Sequence, residues 1–350
     1  MSIVEINNLV KKYGDNVAVN DLSLNIDSKG VYGFLGPNGA GKSTTMNVLT
    51  GYIGATSGTV KINGYDIFKE PEEAKKNVGY LPEIPPLYQD MTVYEYLEFV
   101  SKIKKIKKEE RKACIEQSLE MTRTTEVRER LIRNLSKGYK QRVGIAQAIM
   151  GMPDLIILDE PTVGLDPKQI IEIRDLIRNL GKEHTVILSS HILTEISEVC
   201  ENIFIISQGK LVASGREEEL IEELAGENRI EAIIKGDANE IENILDKFGC
   251  KHSIETLDDE KCKVQIVTSR DIDIREGLFF ALAEKKKPLL ELKFKTKSLE
   301  DIFIELTTEY KAQPKKKGFK LKKKNSEKLD DKNLADNLKN EEKEVQEVEK

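Results

Sequence analysis

The residues with the clearest chemistry lie in the segment GPNGAGKST, residues 36–44, between a short apolar run and a stretch that suits a helix. Glycines at this spacing allow a tight backbone whose N–H groups point at phosphate oxygens. A lysine adds positive charge near the β and γ phosphates, and a hydroxyl can bind Mg²⁺. The segment therefore predicts a phosphate-binding loop rather than a flexible linker. Its candidate nucleotide ligands are Gly36, Pro37, Asn38, Gly39, Ala40, Gly41, Lys42, Ser43 and Thr44, with Ser43 also a metal ligand.

Two acidic residues follow the apolar run at 155–158. Four successive apolar residues suit a strand buried on both faces of a parallel sheet, and ligands bind at the carboxyl ends of such strands. Asp159 is predicted to hold Mg²⁺ together with Ser43. Glu160 is predicted to orient or deprotonate the water that attacks the γ phosphate of a nucleotide.

The segments between and around these motifs indicate an α/β protein with an inserted helical part. Residues 1 to about 215 alternate strand-like and helix-like patterns. The stretch between the two motifs is too long for one crossover helix, and helical periodicity runs from 92 to 121, so a helical subdomain at about 85–150 is expected. Ser136 is a predicted N-cap for a helix over 137–150, whose free N–H groups could receive an anion.

The remainder of the chain predicts a second, smaller domain and a tail. From residue 228 the expected order is β-α-β-β-α-β followed by a helix, which resembles a ferredoxin-like unit. Beyond Pro314 charge replaces aromatic and β-branched residues, so residues 311–350 are expected to be disordered. An alternative is that the basic stretch 315–324 contacts anionic lipid. The predicted domains are 1–225 and 228–310, followed by the tail 311–350. In the domain 228–310, strands are expected at 229–235, near 254, at 263–268 and at 289–294. Helices are expected there at 238–248, 272–284 and 299–310.

Composition excludes several classes of protein. The chain has 350 residues, 39% of them hydrophobic, and no apolar run approaches the length of a membrane span. The first residues lack a signal-peptide pattern, so the chain is expected in the cytoplasm. Its four cysteines have no CxxC spacing and are assigned no chemistry. A formal net charge of −6 gives no general attraction to nucleic acid, and none is expected as a partner.

The segments GPNGAGKST, LSKGYKQR, LIILDEP, GLD and SSH occur in this order and resemble the nucleotide-binding subunit of an ATP-binding cassette (ABC) transporter. The resemblance implies a P-loop cassette with a RecA-like core, an antiparallel β subdomain and a helical subdomain. It also implies that Tyr13 stacks on adenine, that Asp166 is the D-loop aspartate and that His191 is the switch histidine at the γ phosphate. Leu135, Ser136 and Gly138 match the family signature LSGGQ, which binds ATP held by the opposite subunit; Lys137 lies between them.

The chain departs from the family pattern at three positions. Lys137 and Tyr139 replace a glycine and a glutamine of the signature, and Glu83 stands where most cassettes have the Q-loop glutamine. We hypothesise that Glu83 still serves as a metal ligand and coupling residue, because a carboxylate can offer an oxygen to Mg²⁺. These variants and the segment SLEDIFIELT are similar to the ABC-2 exporter subfamily, including gliding-motility and multidrug exporter cassettes, which favours export.

The resemblance implies partners as well as cofactors. Two copies arranged head to tail would enclose ATP and Mg²⁺, and separate transmembrane permease subunits would contact the helical subdomain near 83–91. The protein would then lie on the inner face of the cell membrane. The alternative is a soluble ABC ATPase that acts on a macromolecular complex. A GTPase is disfavoured, because no [NT]KxD guanine-reading motif occurs.

Overall fold

The computed structural model describes residues 2–224, 227–258, 260–269, 272–295 and 298–312. Its strands are β1 (Val4–Tyr13), β2 (Asn16–Ile26), β3 (Gly30–Leu35), β4 (Ser57–Ile62), β5 (Tyr65–Asp66), β6 (Val78–Leu81), β7 (Leu155–Asp159), β8 (Thr185–Ser190), β9 (Asn202–Ser207), β10 (Lys210–Gly215), β11 (Glu227–Lys235), β12 (Lys251–Asp258), β13 (Lys261–Ser269) and β14 (Leu289–Lys295). Its α-helices are α1 (Lys42–Leu49), α2 (Pro71–Lys76), α3 (Val93–Ile103), α4 (Lys108–Met121), α5 (Lys137–Ile149), α6 (Pro167–Gly181), α7 (Leu193–Val199), α8 (Glu217–Leu224), α9 (Ala238–Leu245), α10 (Arg275–Glu284) and α11 (Leu299–Ala312). Short 3₁₀ turns cover Thr125–Val127, Ile132–Asn134 and Asp246–Phe248.

A six-stranded sheet in the order β10-β9-β3-β8-β7-β6 forms the centre of the cassette. Its strands are parallel except for β10, which pairs antiparallel with β9. Every residue of β3, β7 and β8 is buried, which confirms the prediction that the apolar run at 155–158 is an interior parallel strand. The carboxyl ends of these three strands meet at one edge of the sheet, where the predicted site residues follow.

The two faces of this sheet are covered by different elements. Phe34 belongs to a core that also contains residues of α1 and of the antiparallel sheet β2-β1-β4-β5. Its neighbour Leu35 belongs to a second core, which α5, α6 and α7 line on the other side. Alternate residues of one strand thus reach opposite layers, as the period of a strand requires. The expected α/β cassette with an antiparallel β part is confirmed.

The helical part follows β6 and consists of α3, α4 and α5 around a core of their own. Thr92 and Glu95 form a capping box that starts α3. The helical pattern predicted across 92–121 is divided into two helices, because the chain turns at Lys105, which has a φ of 57°. The predicted N-cap is confirmed: Ser136 Oγ accepts a hydrogen bond from Tyr139 N.

The last part contains an antiparallel sheet in the order β12-β13-β11-β14, with α9 and α10 in its core. The elements occur in the β-α-β-β-α-β order that the sequence predicts. The helix expected from 272 begins instead at Arg275, whose N–H donates to Asp273 in the turn before it. The ferredoxin-like assignment and the divisions between domains stay predictions.

Helix α11 packs on α8 and β9, and its Leu299 belongs to a core of the six-stranded sheet. The helix runs to Ala312, so residues 311 and 312 are helical rather than part of the expected disordered tail. The rest of that tail, including the basic stretch 315–324, lies outside the described residues. Within the described ranges, none of the helices has the length and apolar character needed to cross a bilayer.

Candidate functional site

The loop between β3 and α1 has the tight backbone that its glycines predict. Gly39 and Gly41 have φ values of 80° and 105°, which side-chain-bearing residues rarely adopt. A Cβ on Gly41 would lie 2.4 Å from Ala18 O, and one on Gly36 would lie 2.5 Å from Ile206 O. Only glycine fits at positions 36 and 41, so the loop is held close against the neighbouring strands at the amino end of α1.

Lys42 is the buried cation of this loop, with 6% of its surface exposed. Its Nζ donates a hydrogen bond to Gly36 O at 2.7 Å and lies 3.6 Å from Glu160 Oε1. Burial lowers the pKa of Lys42, while the nearby carboxylates of Glu160 and Asp159 oppose this shift. The ammonium is therefore held at the centre of the loop, where an anionic ligand would replace protein carboxylate as its partner.

A hydroxyl and a carboxylate lie side by side next to Lys42. Ser43 Oγ donates to Asp159 Oδ1 at 3.3 Å. Asp159 also accepts a hydrogen bond from Ser189 Oγ, since β7 and β8 pair these two residues directly. Oxygen atoms of this kind are the ligands that Mg²⁺ prefers. No group of three or more His, Cys, Asp or Glu side chains that could hold a metal ion occurs in the described ranges.

Glu160 and His191 form the second pair in the site. His191 Nδ1 lies 3.0 and 3.1 Å from the two carboxylate oxygens of Glu160. The Glu160 side chain is 9% exposed and that of His191 is 40% exposed, so the histidine faces solvent while the carboxylate is enclosed. A buried carboxylate next to an open cavity can accept a proton from a water molecule in that cavity.

The backbone of Glu160 is strained. Its φ is 48°, in the left-handed region that costs a residue with a side chain about 1–3 kcal/mol. The Glu160 N–H donates to Ser189 O at 3.2 Å and to Ser189 Oγ at 3.0 Å. Strain of this kind persists only where the surroundings fix the conformation, and it is concentrated at functional sites.

Lys42, Ser43, Glu160 and His191 line one cavity of about 450 Å³. The cavity brings together seven of the nine predicted phosphate-loop residues with Tyr13 and Glu83, while the third predicted metal ligand, Asp159, lies behind Ser43 and is not part of its lining. Tyr13 lines one side of the cavity and is half exposed, and Lys11 Nζ lies 5.1 Å from the centroid of the Tyr13 ring. The lining residues are Tyr13, Asn16, Val17, Ala18, Asn38, Gly39, Ala40, Gly41, Lys42, Ser43, Thr44, Glu83, Glu160, Val163 and His191.

A second cavity of about 630 Å³ contains two of the predicted signature residues and the D-loop aspartate, while Leu135 is buried in the core of the helical part. Ser136, Gly138 and Asp166 line it, together with Tyr139 and Arg142. Asp166 also caps α6, because its carboxylate accepts a hydrogen bond from Gln169 N at 2.9 Å. The fold therefore separates the predicted site residues into two groups, and the signature group does not line the phosphate-loop cavity of the same chain.

Lys137 reaches from the signature towards the segment after Glu160. Its side chain is exposed, and its Nζ lies 2.0 Å from the place where a Cβ on Gly164 would stand. Gly164 has a φ of 72°, so the turn favours glycine there. The exposed ammonium of Lys137 thus lies beside Gly164 at the edge of the signature, where the family pattern has no side chain.

Sequence reasoning missed several residues around the site. Asn16, Val17 and Ala18 line the phosphate-loop cavity from β2, and no motif marked them. Ser189 contacts both Asp159 and the backbone of Glu160. The signal for Ser189 was present: two successive serines at the carboxyl end of a buried parallel strand point to the ligand edge of the sheet.

Comparisons with known proteins agree with this arrangement. A family model described as "ABC transporter" matches residues 19–163. The bacitracin transport ATP-binding protein BcrA of Bacillus licheniformis is 42% identical over 213 residues, which are 60% of this chain and 69% of BcrA. The linearmycin resistance ATP-binding protein LnrL of Bacillus subtilis (strain 168) is 32% identical over 306 residues, 87% of this chain and 98% of LnrL.

Solved structures give the same result. The structure of an ATP-binding subunit of an ABC transporter aligns with a TM-score of 0.58 and 29% identity, over 63% of this chain and 92% of that one. A dimeric, post-hydrolysis structure of the cassette MJ0796, bound to ADP and Pi, aligns with a TM-score of 0.55 and 26% identity, over 61% of this chain and 98% of that one.

The fold and the phosphate loop define an ATPase of the cassette class. The chain belongs to the ATP-binding proteins of ABC transporters, the subunits that bind and hydrolyse ATP for transport.

Proposed function

We propose that the cavity beside the phosphate loop binds Mg·ATP and that Glu160 is the general base for its hydrolysis. The observation that carries the proposal is the arrangement of Lys42, Glu160 and His191 around one cavity, with the Glu160 carboxylate within 3.6 Å of the ammonium and 3.0 Å of the imidazole. A loop for phosphate, an enclosed base and a partly exposed histidine are the components that γ-phosphate hydrolysis requires.

Each predicted residue has a role in this proposal. The N–H groups of residues 36–44 and the ammonium of Lys42 bind the phosphates, and Tyr13 stacks on adenine. Ser43, Asp159 and Glu83 hold Mg²⁺, which neutralises charge on the phosphate oxygens when bound. Glu160 accepts the proton of the attacking water. His191 fixes the Glu160 carboxylate and contacts the γ phosphate.

A second copy of the chain completes the site. Because Ser136, Gly138 and Asp166 line a different cavity from the phosphate loop, one chain cannot close both groups on the same nucleotide. A head-to-tail homodimer would place Ser136, Lys137 and Gly138 of one copy at the γ phosphate held by the other, with Asp166 beside it. Cassettes of this family form dimers, as the dimeric MJ0796 structure illustrates.

The work of hydrolysis is passed to separate permease subunits. BcrA and LnrL are named for bacitracin transport and linearmycin resistance, and the similarity to them supports export of an antibiotic-like compound. The helical part near 83–91 is the proposed permease contact, and the protein would act on the inner face of the cell membrane. This transport role is favoured over a soluble ABC ATPase, because BcrA and LnrL are both named for transport or resistance to an antibiotic.

Glu160→Gln tests the proposal directly. The amide keeps the size of the side chain but is a poor base, so we expect ATP hydrolysis to fall by at least about a hundredfold while ATP binding persists. The trapped nucleotide should stabilise a dimer that size-exclusion chromatography with light scattering can detect. Glu183→Gln, at an exposed position remote from the cavity, is the matched control. Normal hydrolysis by Glu160→Gln, with a monomer in the presence of ATP, would contradict the proposal.

A further inference from the structure

A buried carboxylate outside the predicted site links the segments that carry Glu160 and His191. Glu195 lies in the first turn of α7 and is 5% exposed. Its Oε2 accepts hydrogen bonds from Thr162 Oγ1 at 2.7 Å and from Ser190 Oγ at 2.9 Å. A single carboxylate oxygen therefore joins the segment after β7 to the end of β8.

This link controls the backbone on both sides of His191. Ser190 precedes His191, and its Oγ also accepts a hydrogen bond from the N–H of Ile192 at 3.0 Å. The hydroxyl is thus held by Glu195 while it holds the turn that presents the imidazole. Thr162 and Ser190 are both buried, so these bonds are shielded from competing water.

The strained residue Glu160 lies between two such links. On one side Ser189 binds Asp159 and the N–H of Glu160. On the other side the carboxylate of Glu195 binds Thr162, two residues after Glu160. A left-handed backbone at a residue with a side chain needs constraints on both flanks to persist, and these two links supply them.

Burying a carboxylate is costly unless it is hydrogen-bonded, and an apolar side chain could fill the same space without that cost. The charged group at position 195 is not in contact with the phosphate-loop cavity, whose lining includes Glu160 and His191 but not Glu195. Its partners are instead the two hydroxyls that flank the catalytic pair. Its effect on chemistry must therefore act through the positions of Glu160 and His191.

We propose that Glu195 is a positioning residue for ATP hydrolysis: by tying Thr162 to Ser190, it holds the Glu160 carboxylate against His191 Nδ1. The proposal rests on the proposed function, in which Glu160 is the base. Loss of the link leaves the phosphate loop and the hydrogen bond from Lys42 Nζ to Gly36 O in place, so we expect nucleotide binding to be retained while the chemical step slows.

Three variants remove the link in different ways. Thr162→Val and Ser190→Ala each delete one hydroxyl, and Glu195→Leu deletes the acceptor. We expect each to lower kcat by about tenfold, the scale of a lost hydrogen bond to a charged group, and to leave KM for ATP within about twofold of wild type. Thr162→Val added to Glu195→Leu should cause no further loss, because the hydroxyl then has no partner to lose.

The conservative variant Glu195→Gln separates positioning from charge. Its carbonyl oxygen can accept both hydroxyls, so kcat should return to within about threefold of wild type. Thr194→Val makes the same chemical change as Thr162→Val at an exposed position of α7, next to Glu195, and it is the control for that helix. Thermal unfolding curves give the folded fraction of every variant, and kcat is corrected for that fraction.

Two results would overturn the inference. One is wild-type kcat in Thr162→Val and Ser190→Ala; the other is Glu195→Gln as impaired as Glu195→Leu. Suppose that wild type hydrolyses ATP and Glu160→Gln does not. Either result then contradicts the positioning role of Glu195 and leaves the proposed function intact. Full hydrolysis by Glu160→Gln instead removes the proposed function.

Discussion

At the scale of single residues, the site depends on positions where only one residue type fits. Lys42 is buried between a backbone carbonyl and the Glu160 carboxylate, and the left-handed conformation of Glu160 presents that carboxylate to the cavity. Glycines at 36 and 41 let the loop approach the backbone of neighbouring strands. Small changes at Lys42 and at the two glycines should therefore alter nucleotide binding more than similar changes elsewhere.

Gly41→Ala should destabilise the phosphate loop. The added Cβ would meet Ala18 O at 2.4 Å, and the φ of 105° is unfavourable for alanine. We expect a loss of about 2 kcal/mol or more in the free energy of unfolding and at least tenfold weaker ATP binding. Gly14→Ala is the matched control, because Gly14 also has a positive φ but open space around its Cα. Urea unfolding and titration with a fluorescent ATP analogue measure both effects; equal behaviour of the two variants would contradict the expectation.

Lys137→Gln should weaken the use of ATP by the dimer. In the head-to-tail dimer the exposed ammonium beside Gly164 would face the γ phosphate of the opposite copy. Its removal should therefore lower kcat/KM for ATP about three- to tenfold, with the larger effect at low salt. Lys182→Gln removes an exposed lysine far from the signature and serves as control. The same kcat/KM for Lys137→Gln and wild type at low salt would show that this ammonium has no part in the site.

At this scale the motifs predicted where most site residues would meet. Parallel strands bring distant motifs to the same edge of a sheet. Asp159 ends β7 at that edge and accepts a hydrogen bond from Ser43, and the cavity beside it is lined by most of the loop together with Tyr13, Glu83, Glu160 and His191. Glu195 was not predicted. Its partners are 33 and 5 residues away in sequence, and a glutamate in the first turn of a helix is ordinarily explained by the helix dipole alone.

At the scale of elements, some features that depend on a few adjacent residues were predicted correctly, whereas the packing of elements distant in sequence was not. Ser136 caps α5 and the run at 155–158 is a buried strand, because both features depend on a few adjacent residues. The break between α3 and α4 was missed, since it depends on a left-handed lysine at 105 rather than on glycine or proline. The packing of α11 on α8 and β9 was also not foreseen, because no local pattern states which layer an amphipathic helix joins.

Lys104 connects two elements of the helical part and should make stability depend on pH. Its Nζ donates to Ala148 O and Met150 O at the end of α5, and burial lowers its pKa from 10.5 to about 8. Between pH 8 and 10.5 the unfolded chain binds the proton more tightly than the folded chain, so this residue contributes more stability as pH rises through that window.

The matched variant is Lys104→Met, which keeps the length of the side chain without a titrating group. The free energy of unfolding of wild type should rise relative to that of Lys104→Met between pH 8 and pH 10, as measured by urea unfolding at both values. A constant difference between the two proteins across this range would show that Lys104 titrates alike in the folded and unfolded chains.

At the scale of the whole molecule, the central feature is the division of the site into two cavities on one chain. The phosphate loop, Glu160 and His191 line one cavity, and Ser136, Gly138 and Asp166 line the other. A dimer of two complete chains arranged head to tail would contain two complete sites, each with the phosphate loop of one copy and the signature of the other. The proposal that ATP joins the copies depends on this division.

A mixture of two inactive variants tests the head-to-tail site most directly. Lys42→Ala removes the phosphate-loop cation, and Ser136→Asp keeps an oxygen for the α5 cap while placing negative charge at the signature. Each variant alone should be inactive, because both sites of its homodimer are defective. An equal mixture should regain roughly a quarter of wild-type ATPase activity, since half of the random dimers contain one intact site. A mixture as inactive as its two components would contradict the head-to-tail site.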